Sequence, residues 1–150
     1  MTLDEFLSRE LKGEDPQSIP GVEVEQIIST FKRLRYKYKD KIHDAELKIY
    51  SEIAESLFEM RLIKVVENRE IKDSFDSWHN EAVNKMRDLY VNYLTGAYVN
   101  RDGKVLCEVR SNLKMDGIEL KQGDYVMLGL KRAFSLWLAG YVEPCRVERR

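Results

Sequence analysis

Residues 92–109, NYLTGAYVNRDGKVLCEV, carry the change of rhythm that decides the fold. Upstream, no glycine or proline occurs between Gly21 and Gly96; downstream, six of the eight glycines lie from Gly96 onward. Glycine and proline are the strongest breakers of regular structure, so the unpunctuated stretch predicts helix and the punctuated one short strands and turns. The expected fold class is α+β. An N-terminal all-α helical domain over 1–95 is followed by a linker over 96–103 and a small C-terminal mostly-β domain with one short helix over 104–150.

Working upstream, Phe75, Trp78, Ala82, Met86, Leu89 and Tyr93 form an inward stripe, widened by Tyr90 and Leu94, on a helix expected to start at Asp73 or Ser74. Before it, Ile27, Phe31, Leu34, Tyr38, Ile42, Ala45, Ile49, Ile53, Leu57, Met60 and Ile63 follow at steps of three or four. As one helix, Val24 to Val66 would run about 65 Å at 1.5 Å per residue, so a break is expected near Asp40 to Asp44, with Asp44 as a new cap. At the start, Thr2-Leu3-Asp4-Glu5 fits a capping box, and Leu3, Phe6, Leu7 and Leu11 share one face ahead of Gly13.

Working downstream, Ala97-Tyr98-Val99, a turn at Asn100-Arg101-Asp102-Gly103 and Val105 to Val109 read as a hairpin or as a linker into a strand. Ile118 to Leu120, Tyr125 to Leu128 and Tyr141 to Val147 are further strands, and Leu130 to Ala139 is a short helix stopped by Gly140. A β module of about 50 residues has a marginal core and needs another surface to lean on.

Composition narrows the function classes. The chain is 34% charged, above the usual quarter, which suits helices with large solvated or partner-facing surfaces. Its net charge of −1 supplies no bulk attraction to nucleic acid or acidic lipid. No apolar run reaches membrane-span length and the first residues include acids, so a cytoplasmic protein is expected. Cys107 and Cys145 lack metal spacing; buried free thiols are expected, with a disulfide as the alternative. Asp76-x-x-His79 has no second such pair to complete a bundle metal site, and no phosphate loop or catalytic constellation is present. No cofactor, metal or enzymatic activity is expected.

Two segments invite binding. Lys32, Arg33, Arg35, Lys37 and Lys39, interleaved with Tyr36 and Tyr38, read either as a phosphate-binding patch or as a solvated or ion-paired helix face. Ser56 to Val66 is apolar almost all round, interrupted by Glu59, Arg61 and Lys64. Such a helix must be buried on more than one side, and the excess face suits another subunit. The candidate interface residues are Ile49, Ile53, Leu57, Phe58, Met60, Arg61, Leu62, Ile63, Phe75 and Trp78.

Tyr50 to Lys64, YSEIAESLFEMRLIK, is similar to the glutamate-x-arginine-leucine-x-lysine helix of GINS subunits. Leu120 to Leu128, LKQGDYVML, followed by a helix and Gly140-Tyr141-Val142-Glu143-Pro144, resembles the small GINS B domain. Where family members often carry proline before the short helix, this chain has Gly129-Leu130. The resemblance implies a non-catalytic DNA replication factor, of the subunit type with the helical A domain first, in an archaeal version. It implies a 2:2 heterotetramer with a B-first GINS subunit, and partners among the MCM helicase, a RecJ/Cdc45-like protein and, in some lineages, primase. The alternative is a small DNA-binding protein using the basic helix 32–41.

Overall fold

The computed structural model describes residues 1–148; the last two positions of the expected β domain, 149 and 150, lie outside the described residues. The chain is α+β and forms two compact units, Met1–Asn80 and Glu81–Arg150.

The first unit begins with α1 (Leu3–Lys12), entered through the capping box of Thr2 and Glu5. Gly13 ends it in extended rather than left-handed backbone. Next come α2 (Gly21–Lys37) and α3 (Lys41–Val66). The break falls where expected, but Asp40 caps α3 in place of Asp44, its carboxylate accepting from the His43 amide at 2.8 Å. α3 stops without glycine or proline because Asn68 takes a left-handed φ of 67° and the Arg69 amide donates to the Lys64 carbonyl at 2.9 Å.

α3 buries only Leu57 of its apolar stripe. Its buried residues are Leu57, Arg61, Lys64 and Val65. Leu57 joins Phe6 and Ile19 in a small apolar cluster, and next to it four charges are enclosed. Arg61 uses all five of its donors. Nε and Nη2 hold Asp76 at 2.7 and 2.6 Å, Nη1 reaches Glu10 at 2.5 Å and the Gln17 carbonyl at 2.8 Å, and Nη2 also reaches Ser74 at 3.1 Å. Lys64 donates to the Glu10 carboxylate at 2.7 Å and to its carbonyl at 2.5 Å. Two cations thus meet two carboxylates, and no buried side-chain polar atom among the described residues lacks a partner. Burial raises the pKa of the Asp76 carboxyl, but hydrogen bonds from Arg61 and Ser74 outweigh it and hold the group below its ordinary 3.8.

This network corrects the expected start of the next helix. Ser74 and Asp76 are committed to Arg61, and Ser74 also accepts from the Ile19 amide at 3.1 Å, so neither is free to cap. The helix α4 (Trp78–Leu94) begins later, and Phe75 sits in the preceding loop. Of the stripe expected to point inward, only Leu89 is buried; Phe75, Trp78, Met86, Tyr90 and Leu94 are exposed.

In the second unit, Gly96 closes α4 with φ 72°, a left-handed value that glycine holds at the least cost, while the Ala97 amide donates to the Asn92 carbonyl at 2.8 Å. β1 (Asn100–Arg101) and β2 (Lys104–Val109) form a hairpin through Asp102-Gly103, both at positive φ as a tight two-residue turn requires. Asp116-Gly117 repeats that device between β3 (Leu113–Met115) and β4 (Ile118–Leu120). β2 is the central strand, antiparallel to β5 (Tyr125–Gly129) on one side and to β1 and β6 (Val142–Pro144) on the other. α5 (Leu130–Leu138) follows β5 directly. Val105, Cys107 and Val109 alternate inward along β2 and meet Leu128, Ala133, Val142 and Tyr98. Leu89 from α4 completes that core and supplies the surface the β module needs. Both cysteines are free thiols; Cys107 is buried, which pushes its pKa up to about 12, and Cys145 is half-buried.

Removing one partner of an enclosed ion pair strands the other charge, so Arg61→Ala is expected to cost about 3–5 kcal/mol. Asp76→Asn removes the charge and sets an amide donor against one Arg61 N–H group, so it is expected to cost about 3–5 kcal/mol as well. Urea denaturation of the variants checks both.

Candidate protein-interaction surface

The buried side of α3 runs through Leu57, Arg61 and Lys64, and apolar side chains are displaced to both of its flanks. On one flank Ile42, Ile49 and Ile63 recur at multiples of seven residues, which keeps them on one line along the helix. They are 79%, 57% and 49% exposed. Phe58, nine residues after Ile49, falls half a turn away on the other flank.

There the Phe58 ring stacks on His79, with centroids 5.5 Å apart and planes 19° from parallel, and Trp78 approaches the same imidazole at 6.1 Å. His79 is buried while Phe58, Phe75 and Trp78 stay exposed. The outcome is an aromatic patch over a buried imidazole that neighbours the Arg61–Asp76 pair. Burial lowers the His79 pKa from its ordinary 6.5; Asp76 opposes this and Arg61 adds to it.

The ten candidate interface residues therefore separate into three groups. Leu57 and Arg61 are buried within the chain; Ile53, Met60 and Leu62 are half-buried; Ile49, Phe58, Ile63, Phe75 and Trp78 are exposed. Phe58 and Trp78 are brought together, whereas Ile49 and Ile63 lie on the opposite flank. Glu10 and Asp76, which hold Arg61, and His79, on which Phe58 stacks, were not among the ten. Glu10 had a signal in the sequence, since it follows Leu3 and Phe6 at helical spacing on the inward side of α1.

α2 has no buried residue. Lys32, Arg33, Arg35, Lys37 and Lys39 are all exposed, and none makes an ion pair among the described residues. Lys37 lies over the Tyr38 ring at 5.4 Å from its centroid, and Tyr38 stacks on His43 at 4.3 Å. The ion-paired reading of this run is thus not what the structure displays; its charge faces solvent.

No group of three or more metal-ligating side chains occurs among the described residues, and no described helix is long and apolar enough to cross a membrane.

The lowered His79 pKa has a definite sign. The unfolded chain binds this proton more readily, so the stability contribution is complete above pH 6.5 and is lost as pH falls through 6.5 toward the folded value. Stability measured by denaturation is expected to drop from about pH 7.5 to about pH 5.5, and His79→Phe is expected to flatten that slope.

Residues 2–76 match the family model for the N-terminal domain of the Gins15 subunit of the GINS complex. Residues 96–146 match the model for the C-terminal domain of the same Gins15 subunit. No curated protein matches the chain. With the helical and β modules each matched in the observed order, the chain belongs to the Gins15 family of GINS complex subunits.

Proposed function

We propose that this chain is a non-catalytic scaffold subunit of the GINS complex in DNA replication, of the type with the helical domain first. In this reading it assembles with a B-first GINS subunit as a 2:2 heterotetramer of an archaeal replisome. The complex then bridges and stabilises the MCM helicase and a RecJ/Cdc45-like protein, with primase as a further partner. Within the chain, residues 1–95 act as the A domain and 104–150 as the B domain, and the joining stretch 96–103 gives Tyr98 and β1 to the core and sheet of the latter.

One observation carries the reading. α3 encloses Arg61 and Lys64 while leaving Ile42, Ile49, Phe58, Ile63 and Val66 open to solvent. A helix that spends its inner face on charges and presents apolar flanks gains free energy when those flanks are covered. At roughly 1.5–3 kcal/mol for a large side chain taken from full exposure to full burial, these five, about half exposed, offer on the order of 6 kcal/mol, before the costs of association. Ile49, Ile53, Phe58, Met60, Leu62, Ile63, Phe75 and Trp78 are the contacts we assign to sister subunits.

The reading as a small DNA-binding protein draws on the exposed, unpaired Lys32, Arg33, Arg35, Lys37 and Lys39. It requires affinity that falls steeply with salt and disappears when Lys32, Arg33, Arg35 and Lys37 are replaced by alanine.

Co-expression with a B-first subunit, with the mass of the complex measured directly, tests the scaffold reading. A stable 2:2 assembly is expected. Ile49→Glu and Trp78→Glu should each leave the chain's own stability within about 0.5 kcal/mol, because these side chains are already solvated, yet disrupt assembly. Undiminished assembly by both variants would rule out this interface.

A further inference from the structure

Between α2, α3 and the start of α1 runs a cleft of about 510 Å³. Its floor is apolar: Ile27, Phe31 and Leu34 from α2 and Tyr50 from α3, with Phe31 and Tyr50 in edge contact at 4.9 Å between centroids. Arg33 and Lys37, one helical turn apart, stand on its rim, and Glu46 is the one carboxylate lining it.

The basic run is divided by this cleft. Arg33 and Lys37 line it, whereas Lys32, Arg35 and Lys39 do not. A nucleic-acid backbone has no use for a floor of isoleucine, phenylalanine and leucine. Nor does a purely apolar partner use two cations that make no ion pair among the described residues. Ile27, Phe31, Leu34 and Tyr38 follow at i, i+4, i+7 and i+11, so the floor has the pitch of a helix. It spans about 16 Å at 1.5 Å per residue, which is about three turns of an occupant.

We infer that this cleft docks an acidic, amphipathic helix of a partner protein. The helix lays its apolar stripe on Ile27, Phe31, Leu34 and Tyr50 and sets carboxylates one turn apart against Arg33 and Lys37. Helix-in-groove recognition anchors through apolar side chains at such spacing, and the flanking charges select orientation and exclude wrong partners. α2, which buries no residue of its own, gains its missing cover from this occupant. The inference rests on the chain being an interaction subunit, and its test does not use the assembly measured above.

The probe is a fluorescent synthetic helix of about fifteen residues with leucines at i, i+4 and i+7 flanked by glutamates; its control carries lysines in their place. Binding to the full chain is read by anisotropy, with amide shifts locating the site and circular dichroism confirming the fold of each variant. The acidic peptide is expected to bind and to shift Phe31, Leu34 and Tyr50. Arg33→Glu with Lys37→Glu weakens it at least about tenfold and gains affinity for the lysine peptide, while Lys32→Glu with Arg35→Glu changes it by less than about twofold. Equal binding of the two peptides, or equal effects of the two double variants, overturns the inference. So does failure of the acidic peptide to bind while a single-stranded oligonucleotide shifts the same residues, which reassigns the cleft to nucleic acid.

Discussion

The first unit depends on one guanidinium. Arg61 joins Asp76 and Ser74 from the loop after α3 to Glu10 of α1 and to the Gln17 carbonyl, so three chain segments distant in sequence meet on a single planar fork. An arginine suits this position because its donors are fixed in one plane and it cannot shed its charge, whereas a lysine offers a point charge without that geometry. Lys64 then neutralises the second valence of the site by holding Glu10. Enclosed ion networks of this kind contribute little net stability over an apolar core of equal volume, but they tolerate only one arrangement once formed.

The network's consequences reach the surface. Because it fills the inner face of α3, the apolar side chains that would otherwise build a larger core are displaced outward, and the remaining cluster around Phe6, Ile19 and Leu57 is small. Because it also occupies Ser74 and Asp76, α4 begins after them and Phe75 stays in a loop near Trp78. The aromatic patch over His79 therefore follows from the same buried charges. An interaction surface and a polar core are two sides of one packing solution.

The second unit follows a different logic, in which local turn chemistry decides the register. Asp102-Gly103 and Asp116-Gly117 both supply the paired positive φ that a two-residue hairpin needs, and each fixes its flanking strands. The hydrophobic alternation of β2 then determines which side is covered, and Leu89 of α4 closes the cover. With so few residues in the sheet, that contribution from a helix is what gives Val105, Cys107 and Val109 a dry environment.

Features of short range were legible in the chain itself: the capping box at Thr2 and Glu5, a break near Asp40 to Asp44, the change of class at Gly96, a turn within Asn100 to Gly103 and the short helix from Leu130. Each rests on backbone preferences that act over a few residues and need no partner. The family was legible for a related reason, since the segment Glu59 to Lys64 and the Gly123-Asp124 module keep their residues in fixed local order. What periodicity could not show was which residues of α3 lie inside. The three-four spacing puts Ile63 on the apolar stripe and Arg61 and Lys64 off it, yet Arg61 and Lys64 are buried and Ile63 is exposed, because Glu10 and Asp76 approach from segments far away in sequence. Sequence alone determined the elements and their order; only tertiary structure decided which face of α3 is core and which is surface, because that choice depends on charges meeting across distances no local pattern records.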